Sequence, residues 1–132
     1  MNYSEIKNYK GLIFDLDGTL INSMPYHALA WKQVAYEHGF DIDVNDIYAM
    51  GGSASRDIAA FYKNKGDPVG DIDEFVKRKF AIFQENIPKI EVFQKIFNEL
   101  KEAKSVGIRI AIGTGTRTAK ATRILKEKDL FD

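Results

Sequence analysis

Two carboxylates, Asp15 and Asp17, stand two residues apart where an apolar run ends, in "GLIFDLDGTLINS". Acids beside a core are costly unless a cation or a reaction uses them. Along an extended chain, residues i and i+2 point the same way, so both side chains can serve one point. Gly18 then lets the backbone turn sharply and face its amides toward an anion. One carboxylate can attack phosphorus and carry the phosphoryl group as an acyl phosphate. The other can protonate the leaving oxygen and later accept a proton from water. Two acids and a phosphate dianion repel each other, so a hard divalent cation is expected, and oxygen donors select Mg²⁺. Far along the chain "IGTGT" offers the hydroxyls of Thr114 and Thr116 and the open backbone of Gly115, groups suited to phosphate oxygens.

Other uses of these residues are weaker. A calcium loop begun at Asp15 needs Gly at its sixth position and Glu at its twelfth. Leu20 and Tyr26 stand there. A dinucleotide fingerprint in "GTGTRT" is broken at Thr118, where the third glycine belongs.

The positioning elements follow from periodicity. "KGLIFDL" and "IRIAIGTGT" read as short buried strands. Between them helices are expected in "SMPYHALAWKQVAYEHGF", with Ser23 as N-cap, and in "VNDIYAM". Others follow in "SASRDIAAFYKNKG", "DIDEFVKRKFAIFQENI" and "EVFQKIFNELKEAKSVG", and a last one in "RTAKATRILKEKDLF". Two parallel strands present their carboxyl ends at one sheet edge, where α/β proteins bind ligands. "DLDGT" and "GTGT" both sit there. Residues 22–88 then form a helical insertion into an α/β core made of 1–21 and 89–132.

Bulk composition narrows the class. The 132 residues are 45% hydrophobic and 29% charged, the profile of a folded globular chain. Lys+Arg and Asp+Glu both number 19, which gives no electrostatic case for nucleic acid or an anionic membrane. Cysteine is absent, which removes disulfides and thiolate chemistry. The start "MNYSEIKNYK" carries no apolar signal region, and no run approaches the ~18 residues of a membrane span. A cytoplasmic protein is expected.

"FDLDGT" ending the first strand, with a strand-terminal Thr in "AIGTGT" after a helical insertion, resembles motifs I and II of the haloacid dehalogenase superfamily. The resemblance implies a Rossmann-like parallel-sheet core, Asp15 as nucleophile and Asp17 as general acid/base. It implies Mg²⁺ on the Asp15 carboxylate and the Asp17 carbonyl, with Thr114 on the phosphoryl group. "MPYHALAW" and "MGGSASRDIA" are similar to cap signatures of the β-phosphoglucomutase and fructose-1-phosphate phosphatase branch. Carried over, His27, Gly52, Ser53 and Arg56 face the substrate from the cap, and Thr116 and Arg117 from the core. Packing by His27 beside Trp31, and an ion pair from Arg56 to Asp57 or Glu74, are the plainer roles for those two. The superfamily's third and fourth motifs, a Lys and an acidic pair, have no counterpart before Asp132. Lys126 and Lys128 fall on a helix rather than at a strand end. The resulting expectation is an incomplete core, inactive alone and completed by a C-terminal segment or a second chain. The function expected is a phosphatase of small sugar phosphates, with a phosphohexomutase or an inactive phosphate-binding module as alternatives.

Overall fold

The computed structural model describes residues 3–128 and 130, and the side chains from Glu5 onward within that range. Its contacts form two compact units. One comprises residues up to Ser23 together with Glu91–Thr114; the other comprises Met24–Ile90 and the segment from Gly115.

The first unit holds β1 (Gly11–Phe14) and β2 (Arg109–Ile112), paired in parallel with Gly11 opposite Arg109 and Phe14 opposite Ile112. β1 is built from Leu12, Ile13 and Phe14 and β2 from Ile110 and Ile112 around Ala111, apolar side chains that suit a pleated, half-buried surface. The α-helix Gln94–Ser105, numbered α6 in chain order, packs on β2. Its Ala103 joins Ile6 and Ile108 in a buried cluster against which Leu12 and Ile110 pack. Ile6 closes α1 (Tyr3–Ile6), a single turn that the polar start of the chain did not announce.

The strands, read as buried, are only partly so. Both run in alternation, exposed and half-buried, and Ile13 is 79% exposed. Only one sheet face is covered by the described residues, because α6 packs on one side and Ile13 points to the other. The apolar stripe of α6 is likewise only partly used: Ile96, Phe97 and Leu100 are half-buried, and Ala103 alone is buried.

The second unit is helical: α2 (Met24–Glu37), α3 (Val44–Ala49), α4 (Ser55–Asn64), α5 (Ile72–Asn86), a 3-10 turn (Ile87–Lys89) and α7 (Thr118–Glu127). The last expected helix therefore stops short of Leu130, and its positions 129 and 131 lie outside the described residues. Asp43 and Asp71 begin α3 and α5, their carboxylates accepting from the amides of Asn45 and Glu74. The 3.6-residue spacing brings α2 against α5 and α4 against α5. Trp31, Tyr62, Phe75 and Phe83 are each under 2% exposed, with Trp31 and Phe75 ring centroids 6.0 Å apart. His38 ends α2 with its Nδ1 2.8 Å from the Val34 carbonyl and its ring edge-on to Phe75. Phe61 on α4 is 45% exposed, while Ile58 and Tyr62 fill the inner face of that helix. α7 docks on the 3-10 turn, and Lys128 donates to the Pro88 carbonyl at 3.3 Å.

Trp31→Ala empties the centre of this unit. We expect a loss of about 3–5 kcal/mol, read as a lowered urea midpoint. A loss below about 1 kcal/mol would mean that Trp31 is not a central packing residue.

Candidate active site

In the first unit the ladder runs one step past the strands, the Gly113 amide donating to the Phe14 carbonyl at 2.8 Å. Asp15 and the Gly113–Thr114 pair therefore leave adjacent parallel strands side by side, at their carboxyl edge. Packing there is tight, since a Cβ on Gly113 would come 3.0 Å from Ile13 Cγ2. Asp15 is exposed and its Oδ1 accepts from the Leu16 amide at 2.8 Å. Thr114 is half-buried.

Beyond Asp15 the chain folds onto one atom. The Leu16 carbonyl accepts from the amides of Thr19, Leu20 and Ile21, and the Gly18 amide donates to the Ile21 carbonyl at 2.9 Å. Gly18 has φ +76°, which explains glycine here. Leu16, Leu20 and Ile21, all fully buried, anchor the loop on either side of Asp17. The strand ends at Phe14, so alternation along an extended chain does not place Asp17; this loop does. The buried Ser23 hydroxyl donates to Asp17 Oδ1 at 2.5 Å. Ser23, expected as an N-cap, is thus a holder of Asp17. Periodicity carries no signal for a loop contact six residues apart.

The second unit contains the other candidates. Gly52 has φ +87°, the Ser53 amide donates to the Met50 carbonyl at 3.0 Å, and both residues are exposed. A Cβ on Gly115 would lie 3.5 Å from the Gly52 carbonyl oxygen, so the loop after Thr114 runs against the Gly52 turn. Thr116 is half-buried, and Arg117 is exposed just before α7. Lys120, one turn on, lies 3.9 Å over the Phe80 ring; burial first, and Arg117 second, push its ammonium pKa down. Arg117 and Lys120 make a local concentration of positive charge.

His27 stacks on Phe83, ring centroids 4.1 Å apart, with Nδ1 2.7 Å from Lys79 Nζ. Lys79 is 4% exposed and also lies over the Trp31 ring. Lys79 shares the buried face of α5 with Phe75 and Phe83, and helical spacing alone does not mark it as His27's partner. Arg56 is exposed and pairs with Asp73, rather than with Asp57 or Glu74. The structure therefore gathers Asp15, Asp17, Gly18 and Thr114 at one sheet edge. Within the helical unit it gathers Gly52 with Gly115, and His27 with Lys79.

The metal question turns on donor type. The carboxylate of Asp15 and the oxygens of Asp17 are hard donors and fit Mg²⁺ in kind. Among the described residues no group of three or more His, Cys, Asp or Glu side chains could hold a metal ion.

The haloacid dehalogenase-like hydrolase family model matches residues 12–132, which includes every residue of this edge. The chain belongs to that family. An uncharacterised protein of Haemophilus influenzae is 33% identical over 117 residues, covering 88% of this chain and 58% of that protein. The fructose-1-phosphate phosphatase of Escherichia coli is 40% identical over 53 residues, 40% of this chain and 28% of the relative. The β-phosphoglucomutase of Bacillus subtilis is 28% identical over 141 residues, 93% of this chain and 57% of the enzyme. Among solved structures, a predicted phosphoglycolate phosphatase from Haemophilus somnus superposes with a TM-score of 0.79. Its identity is 21%, over 94% of this chain and 60% of that one. The chain thus spans no more than 58% of the length of these curated relatives. No helix among the described residues is long and apolar enough to cross a membrane.

Proposed function

We propose that this chain carries the nucleophile, the general acid/base and the cap of a phosphatase acting on small sugar phosphates. The observation that carries the reading is the meeting of Asp15 and Thr114 at the carboxyl ends of β1 and β2, with Asp17 held by Ser23 beside them. An Asp15 carboxylate oxygen attacks phosphorus, and the bond to the ester oxygen breaks as Asp17 gives that oxygen its proton. Asp17 then takes a proton from water as the water oxygen attacks the phosphoryl group, freeing phosphate and Asp15. The Thr114 hydroxyl and the open backbone of Gly115 bind phosphoryl oxygens. Mg²⁺, held by the Asp15 carboxylate and the Asp17 carbonyl, would neutralise charge between nucleophile and phosphate.

A phosphohexomutase shares the first half of this chemistry, and the similarity to a β-phosphoglucomutase along most of the chain favours it as second reading. Water takes the phosphoryl group in one case and a sugar hydroxyl in the other. Incubation with a panel of hexose phosphates separates them: free phosphate supports the hydrolase, positional isomers of the sugar phosphate the mutase. Neither product, with Mg²⁺ present and the protein in its longest form, would sink both.

The proposal includes a further polypeptide segment, from the same or a second chain, laid against the sheet face that leaves Ile13 exposed. It would add the cation and the acids that two carboxylates alone do not supply. Residues 1–132 alone are then expected to be inactive and to bind Mg²⁺ weakly. Hydrolysis of a sugar phosphate by a monodisperse 132-residue monomer would remove this part of the reading.

Arg56 and the Gly52–Ser53 turn are proposed to contact the part of the substrate that is not transferred. Arg56→Ala should raise KM for a sugar phosphate about tenfold or more, and leave KM for a small aryl phosphate nearly unchanged. Equal effects on both substrates would leave Arg56 with only its ion pair to Asp73.

A further inference from the structure

The first unit has a concave surface at the opposite end of its strands from Asp15 and Thr114. A cavity of about 620 Å³ opens where β1 and β2 begin, within the range of small-ligand pockets. Four residues of strand rise, about 13 Å, separate the two edges. Three cations line the cavity, Lys7, Lys10 and Arg109, and no acid does. None of the three enters an ion pair among the described residues. Lys10 and Arg109 are held together by the sheet itself, the Arg109 amide donating to the Lys10 carbonyl at 3.2 Å. In a chain of zero net charge this lining is a local excess of positive charge, and the ladder keeps the backbones of Lys10 and Arg109 adjacent.

The same rim leaves apolar surface in water. Tyr9 and Val106 are each 64% exposed, although large exposed apolar groups beside a cavity commonly mark a contact site. Gly107, with φ +88° and no atom within 4 Å of a Cβ built on it, keeps one wall low. An exposed phenol ring next to clustered cations suits a ligand that is flat at one end and anionic at the other.

We propose that this cavity is a second anion site, binding a small phosphate ester whose organic part is a flat ring. Lys7, Lys10 and Arg109 take the phosphate, and the ring lies on Tyr9 and Val106. The site is independent of the chemistry at Asp15, since none of its residues reaches that edge of the sheet.

Amide NMR titrations of the full chain at constant ionic strength test it, with adenosine 5′-monophosphate, inorganic phosphate and adenosine as probes. The nucleotide should shift the amides of Lys10, Gly107 and Arg109, and bind about tenfold or more tightly than either fragment. Lys10→Ala combined with Arg109→Gln should weaken it at least about tenfold, whereas Lys77→Ala, on exposed α5 surface, should not. Tyr9→Leu should remove the preference for nucleotide over phosphate. Should the double variant fail to fold, Lys7→Ala carries the same expectation. Equal affinity for all three probes, shifts confined to the Asp15 edge, or unchanged binding by the variants would each overturn the site.

Discussion

Asp15→Asn should reduce turnover by the complete protein to background while leaving its fold intact. The amide is isosteric with the carboxylate, but it cannot attack phosphorus and form an acyl phosphate. Asp15 is exposed, and its recorded contact is with the adjacent Leu16 amide, so no buried network collapses when its charge is removed. Loss of an attacking group removes the route rather than slowing it, which makes this the largest effect expected of any substitution here. Two measurements check it together: phosphate release under single-turnover conditions, and hydroxylamine trapping of the acyl phosphate. The variant should show neither, with an unchanged circular dichroism spectrum. Turnover near the parent rate would require another nucleophile and would end the Asp15 mechanism.

Asp17→Asn should cost about 10²–10⁴ in rate, the usual range for losing a general acid/base. Its signature differs from that of Asp15→Asn, because the nucleophile survives. With a good leaving group, which needs little protonation, acyl phosphate should still form and then accumulate, since no base activates water. Ser23 supplies a companion test. Its buried hydroxyl donates to Asp17 Oδ1, so Ser23→Ala removes one hold on the carboxylate without deleting it. An intermediate loss of about tenfold to a hundredfold is expected, smaller than for Asp17→Asn, as befits a positioning residue. A positioning role also predicts that Ser23→Thr, which keeps the hydroxyl, recovers part of the rate. If Mg²⁺ affinity collapsed in Asp17→Asn while chemistry at saturating metal stayed normal, the Asp17 carboxylate would be a metal ligand and not the acid/base. If Ser23→Ala matched the parent, the short contact would have no part in catalysis.

Residue type and spacing alone determined much of this protein. A run of Leu, Ile and Phe broken by two acids and a glycine is legible because burial and turn chemistry act locally, and so is a Thr-Gly-Thr end on a second apolar run. The helices of the inserted stretch were legible for the same reason, their apolar residues recurring at a period that only a helix satisfies. Tertiary structure decided what local rules cannot reach. The exposure of Ile13 depends on what covers the other face of the sheet, and an apolar run looks the same with one face covered or two. The loop closed on the Leu16 carbonyl places Asp17 where strand alternation would not, and it turns Ser23 from a cap into a partner. Lys79 and His27 stand 52 positions apart in sequence, and only the packing of α2 on α5 brings ammonium and imidazole within 2.7 Å. The cations of the cavity where the strands begin likewise come from segments about a hundred residues apart, joined by one rung of a parallel ladder. Periodicity records which face of an element is apolar; which side chains meet across elements is set by register and packing, and those exist only in the folded chain.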